Sequence, residues 1–331
     1  MPIATNSLLW FTSMDEENKP KEDIHGRKVL KVEELSKTYG KTVAIDNISF
    51  EVLEGEIFGM VGPNGAGKTT TIECVEGLRE PDKGNIEVLG LNPKKDSHHL
   101  RERIGVQLQT SALQDRIKVW EALDLYSSFY PKSIDWETLI ERLGLAEKRN
   151  EYFDKLSGGQ KQRVFVALAL VNDPEMVFLD ELTTGLDPRA RHSIWDLVRD
   201  IQKSGKNVIL TTHFMEEAER LCDRIAIVDH GRIVALDTPE NLIQSLTGEN
   251  RIIFNVKGTI ENTDKRLKGL PGVTKTEQIG DRVVVYGKGD ELVGTVVNAL
   301  TSKGIRFRNL RTEQPSLEDV FLTVTGREME V

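Results

Sequence analysis

The segment that most constrains this chain is Gly62-Pro63-Asn64-Gly65-Ala66-Gly67-Lys68-Thr69-Thr70. It fits the pattern GxxxxGK[ST], a phosphate-cradling loop, provided that a strand precedes it and a helix follows. Both are predicted here: Ile57–Val61 is a short apolar run, and Thr69 to Leu78 has an amphipathic helical pattern. Glycine is needed where a Cβ would block the turn or the approach of an anion. The loop N–H groups and the helix N-terminus then face the phosphates. Lys68 adds a point charge between two phosphates, and the Thr69 hydroxyl offers an oxygen to Mg²⁺.

The surrounding pattern sets the fold class. From Val29 onward, short β-rich runs alternate with helical ones, which predicts an α/β protein. Candidate strands are Val29–Val32, Ile57–Val61, Ile104–Gln107, Val177–Leu179, Val208–Leu210 and Ile225–Val228. Several are apolar throughout, as strands covered on both faces should be. Residues 117–148 read as helices. Beyond Leu246 the style changes to strand, helix, strand, strand, helix, strand, with a final helix from Ser316. That βαββαβ order predicts a small α+β ferredoxin-like domain over residues 249–331, after a first domain over 28–248. Residues 1–27, rich in charged and polar positions, read as a disordered extension.

Composition excludes several classes. Lysine and arginine total 44 against 53 acidic residues, a net charge of −9, which argues against a nucleic-acid partner. The two cysteines, Cys74 and Cys222, have no metal-binding spacing and read as small core residues of a reducing compartment. No apolar stretch approaches the ~20 residues of a membrane helix.

Two further motifs carry chemistry. Met176 to Leu179 is an apolar strand that delivers Asp180 and Glu181 at its C-terminal end, where open α/β sheets bind ligands. Asp180 suits a Mg²⁺ ligand, and Glu181 suits a general base that poises an attacking water. Leu156-Ser157-Gly158-Gly159-Gln160 opens a long helix through Val171, which builds a second anion site. One nucleotide does not need two such sites from one compact chain. The second loop therefore serves the nucleotide of another subunit.

Taken in order, the phosphate loop, LSGGQ, the Asp180-Glu181 pair and His213 resemble the ATP-binding subunits of ABC transporters over about residues 28–246. The resemblance implies a P-loop NTPase fold: a RecA-like core, an antiparallel β layer and a helical subdomain at about residues 110–172. It implies ATP and Mg²⁺ as cofactors and an ATPase activity. By position, Tyr39 matches the aromatic that stacks on adenine, and Gln109, with Gln107 as the competing candidate, the glutamine that touches Mg²⁺ or the attacking water. His213 matches the histidine at the γ-phosphate, and Asp187 lies in the loop that crosses the dimer seam. The family usually has proline where Leu182 stands. The tail, Pro315 to Leu322 followed by Thr325-Gly326, resembles drug- and lipid-type exporter subunits, the daunorubicin-resistance type in particular. Those subunits imply a separate membrane permease, docked near Gln109 to Arg116. They also imply a second ATP-binding chain and a position on the cytoplasmic face of the membrane.

Overall fold

A computed structural model describes residues 26–107, 113–246, 250–257, 263–289, 291–313 and 315–326. Residues 1–25 of the extension expected over 1–27, and Gln109 with its neighbours, lie outside the described residues; Arg27 is described, and its carbonyl accepts from Glu54 N–H at 2.8 Å.

The chain opens with two long antiparallel strands, β1 (Lys28–Tyr39) and β2 (Thr42–Leu53). Next come β3 (Ile57–Val61), α1 (Lys68–Val75) and β4 (Lys83–Val88). After α2 (Ser97–Arg103) and β5 (Ile104–Gln107), the helices α3 (Val119–Ser127), α4 (Trp136–Arg142) and α5 (Gly158–Leu170) form the helical region. Strand then alternates with helix: β6 (Met176–Asp180), α6 (Pro188–Lys203), β7 (Asn207–Thr212), α7 (Met215–Leu221) and β8 (Arg224–Asp229). A hairpin to β9 (Arg232–Asp237) and α8 (Pro239–Ser245) end this part.

Two sheets result. One is antiparallel with β1 between β2 and β4, which is the antiparallel layer implied above. The other has the order β5-β6-β7-β3-β8-β9 and is parallel except for β9. Strands β3 and β6 are buried along their whole length, because alternate side chains feed different cores. Ile57 and Val61 of β3 join Val177 and Leu179 of β6 in a core shared with α3 to α8. Phe58, Met60, Met176 and Phe178 point the other way, into a core shared with α1, α2 and the antiparallel sheet. Phe58 stacks on Phe50 of β2 with ring centroids 5.3 Å apart. The continuous apolar runs in the sequence thus mark strands sandwiched between two layers.

The remaining elements are β10 (Asn250–Val256), α9 (Thr263–Leu267), β11 (Val273–Ile279), β12 (Arg282–Gly287), α10 (Leu292–Ser302), β13 (Phe307–Glu313) and α11 (Leu317–Thr325). Their sheet has the order β11-β12-β10-β13, antiparallel throughout, which is the ferredoxin-like topology. Ile252, Phe254, Val283, Val285, Val296 and Leu300 fill its own core. Helix α11 behaves differently: Leu317, Val320 and Phe321 are buried in the core beneath α7 and α8.

Candidate nucleotide site

The phosphate loop is pressed between β8 and β2. A Cβ on Gly62 would lie 2.1 Å from the Val228 carbonyl oxygen, and one on Gly67 would lie 2.3 Å from that of Ala44. Gly65 and Gly67 adopt φ of +78° and +105°. The glycine pattern is therefore a steric requirement of this turn. Gly67 gives α1 no side-chain cap, so the first-turn N–H groups are open to an anion. Pro63 and the first-turn Thr69 and Thr70 are half-buried around it, Asn64 is exposed, and Ala66 is buried.

Lys68 is buried inside this loop. Its Nζ donates to the carbonyls of Gly62 at 2.7 Å and Pro63 at 3.1 Å, and lies 3.9 Å from Glu181 Oε1. Burial pushes its pKa down, and the carboxylates of Glu181 and Asp180 oppose that shift. Asp180 ends β6 and accepts hydrogen bonds from the hydroxyls of Thr211 and Thr69. Burial raises its pKa, while the Thr211 bond pulls it back. A carboxylate and a hydroxyl sharing a hydrogen bond form a pair of hard oxygen donors, which fits Mg²⁺.

Glu181 sits one residue further on at φ +48°, a conformation that side chains other than glycine rarely adopt. Its N–H is fixed by Thr211, through the carbonyl at 3.1 Å and the hydroxyl at 3.2 Å. The carboxylate reaches within 3.6 Å of His213 Nδ1. That nitrogen is buried without a hydrogen-bond partner, and the ring lies 4.1 Å from the Phe214 ring. Lys68, Thr69, Asp180, Glu181 and His213 thus meet at the C-terminal ends of three neighbouring parallel strands, β3, β6 and β7. Tyr39 ends β1 half-exposed, with Lys37 Nζ 5.5 Å and Arg79 Cζ 5.6 Å from its ring centre.

The other predicted residues form a second group. Ser157 caps α5 by accepting from Gln160 N–H at 3.3 Å, and Gln160 Oε1 accepts from Ser157 N–H at 3.0 Å. This is a capping box. Cβ atoms on Gly158 and Gly159 would lie 3.3 Å from Leu186 Cδ2 and 3.1 Å from Ala190 Cβ. Asp187 caps α6, accepting from the N–H groups of Arg189 and Ala190, each at 3.0 Å. The signature loop and the Asp187 turn therefore pack on each other. Leu182, standing where proline is usual, is buried in the core beside Leu179, so side-chain burial anchors the turn. Sequence reasoning missed Thr211, which fixes both acidic residues. Its only sequence signal is a threonine pair ending an apolar strand just before His213.

A buried phosphate loop, two acidic residues at an adjacent strand end and a histidine on the next strand define a nucleoside triphosphatase of the P-loop class. The profile of the ABC transporter family matches residues 45–184. The Nod factor export ATP-binding protein I of Rhizobium etli is 40% identical over 302 residues, covering 90% of this chain and 93% of that protein. The protein of the same name from Ralstonia nicotianae is 37% identical, covering 95% and 98%. Among solved structures, the ATP-binding subunit of an ABC transporter aligns with a TM-score of 0.60 at 29% identity, over 66% of this chain and 93% of that one. A dimeric bacterial ABC transporter cassette aligns at 0.57 and 28% identity, over 63% and 98%. The chain belongs to the ABC transporter ATP-binding family and is a cassette ATPase. Among the described residues no helix is long and apolar enough to cross a membrane.

Proposed function

We propose that two copies of this chain close head to tail on two ATP molecules and drive export through a separately encoded permease on the cytoplasmic face of the membrane. The names of the relatives support the direction, and the dimeric cassette supports the pairing. The loop N–H groups and Lys68 hold the phosphates, and Tyr39 stacks on the adenine. Thr69 and Asp180, with Gln109, hold Mg²⁺; when bound, the ion neutralises charge on the phosphate oxygens. Glu181 takes the proton of the attacking water, and His213 steadies the γ-phosphate. Ser157, Gly158 and Gly159 of the partner subunit supply the last donors to each nucleotide. Their helix N-terminus is exposed in a single chain, which suits that use.

The observation that carries this reading is Glu181 Oε1, 3.9 Å from the loop lysine and 3.6 Å from His213. Glu181→Gln tests it. Phosphate release should fall by roughly 10²–10⁴-fold, the usual span of general-base catalysis. ATP binding should persist, and the ATP-bound dimer should accumulate on size exclusion. Turnover within twofold of the parent overturns the assignment.

A further inference from the structure

A buried carboxylate with no part in that scheme lies beneath the site. Glu217, on α7, is 2% exposed. Its Oε1 accepts two hydrogen bonds, from the Thr183 hydroxyl and from Trp195 Nε1, each 2.8 Å long. We propose that Glu217 is a positioning residue for ATP hydrolysis, tying three parts of the site into one unit.

Each partner leads to a different part. Thr183 is fully buried in the turn that starts at Glu181. Thr184 N–H bonds the Glu181 carbonyl at 3.2 Å, and Leu186 N–H bonds the Thr183 carbonyl at 3.2 Å. Trp195 belongs to α6, the helix capped by Asp187 against which the signature loop packs. Glu217 itself lies on the helix that starts two residues after His213. One oxygen thus connects the proposed general base, the Asp187 turn and the histidine.

Burying a carboxylate is unfavourable unless donors satisfy it, and an apolar side chain would pack α7 without that cost. The bond to Thr183 does what packing alone does not: it fixes the turn along its length. Glu181 is held at a left-handed φ, so a small relaxation of that turn carries its carboxylate away from His213. Misplacement by about 1 Å can cost about 10²-fold in rate. Ground-state ATP binding rests on the phosphate loop, on another strand, and should be spared.

The inference rests on the roles given above to Glu181 and His213, so its test runs beside Glu181→Gln. Full-length Glu217→Ala, Glu217→Gln, Thr183→Val and the Thr183→Val/Glu217→Ala pair are compared for kcat, KM, ATP affinity and melting temperature. Glu217→Ala should lose about 10- to 100-fold in kcat. Thr183→Val should lose at least threefold, with KM and ATP affinity within twofold. Glu217→Gln, which keeps an oxygen acceptor, should recover kcat to within threefold. The pair should fall no further than Glu217→Ala alone, since both remove one interaction. If Glu217→Ala does not fold, Thr183→Val and Glu217→Gln decide. Full kcat in Thr183→Val, or Glu217→Gln as impaired as alanine, overturns the proposal. An active Glu181→Gln overturns instead the site assignment beneath it.

Discussion

Glu76 follows α1 with its side chain buried and Oε2 without a hydrogen-bond partner. Burial, reinforced by the nearby charge of Asp180, pushes its pKa from 4.5 up to about 8. The neutral acid is the form such a place tolerates. Between those two values the native chain holds a proton that the unfolded chain has released. The contribution of Glu76 to stability is therefore fully present below pH 4.5 and is lost as pH rises towards 8. The slope approaches about 1.4 kcal/mol per pH unit. Glu76→Gln removes the group that titrates and keeps the shape. In urea titrations from pH 5 to pH 8, the variant should gain steadily on the parent; a constant gap between the two would refute the buried neutral acid. At the same scale, Gly62 and Gly67 were legible in the sequence because their constraint is local. Glu76 was not, since its environment is assembled by Asp180, a residue distant in the chain.

Among the elements before Leu246, the strands read from the sequence to within a residue or two of their ends are the five parallel ones of the larger sheet. Strands β3, β5, β6, β7 and β8 are buried on both faces, so their apolar runs stand out. Strands β2, β4 and β9 alternate with exposed polar positions and gave no such signal. Only the first four residues after Lys28 marked β1, which continues to Tyr39 through register shifts near Glu34, a residue at φ +50°. The phosphate loop and Asp180-Glu181 were legible because each motif is continuous. The packing of Gly158 and Gly159 against Leu186 and Ala190 joins two segments that no periodicity connects. It makes α5 and α6 neighbours at the signature loop, with Ser157 as the cap. Ser157→Ala removes the capping bond to Gln160 N–H, at a cost of about 1 kcal/mol. The urea midpoint should drop accordingly, with the ATP affinity of the single chain unaltered. An unchanged midpoint would show that the cap contributes nothing.

The whole molecule is joined by its last helix. The small sheet has its own core, yet α11 returns to α7 and α8, and Leu317 N–H meets Glu219 Oε2 at 3.3 Å. Chain order groups α11 with the small sheet, while its buried Leu317, Val320 and Phe321 tie it to the ATPase core. Phe321→Ala should therefore cost about 3–5 kcal/mol, seen as a lower melting temperature of the ATPase part. Unaltered melting there would mean that α11 is dispensable to that core. The same helix rests on α7, which follows His213, so the tail and the site share one supporting helix. Composite sites make a stricter demand on the assembled molecule. If each ATP lies between the loop of one chain and the signature of its twin, defects in Lys68 and Ser157 must segregate by site. A Lys68→Ala chain paired with a Ser157→Arg chain puts both defects on one nucleotide and leaves the other site whole. The mixture should hydrolyse ATP several times faster than either variant alone, and phosphate release as a function of mixing ratio should peak near equal amounts. A flat profile would mean that the loop and the signature serve the same nucleotide within one chain, and the head-to-tail dimer would have no chemical purpose.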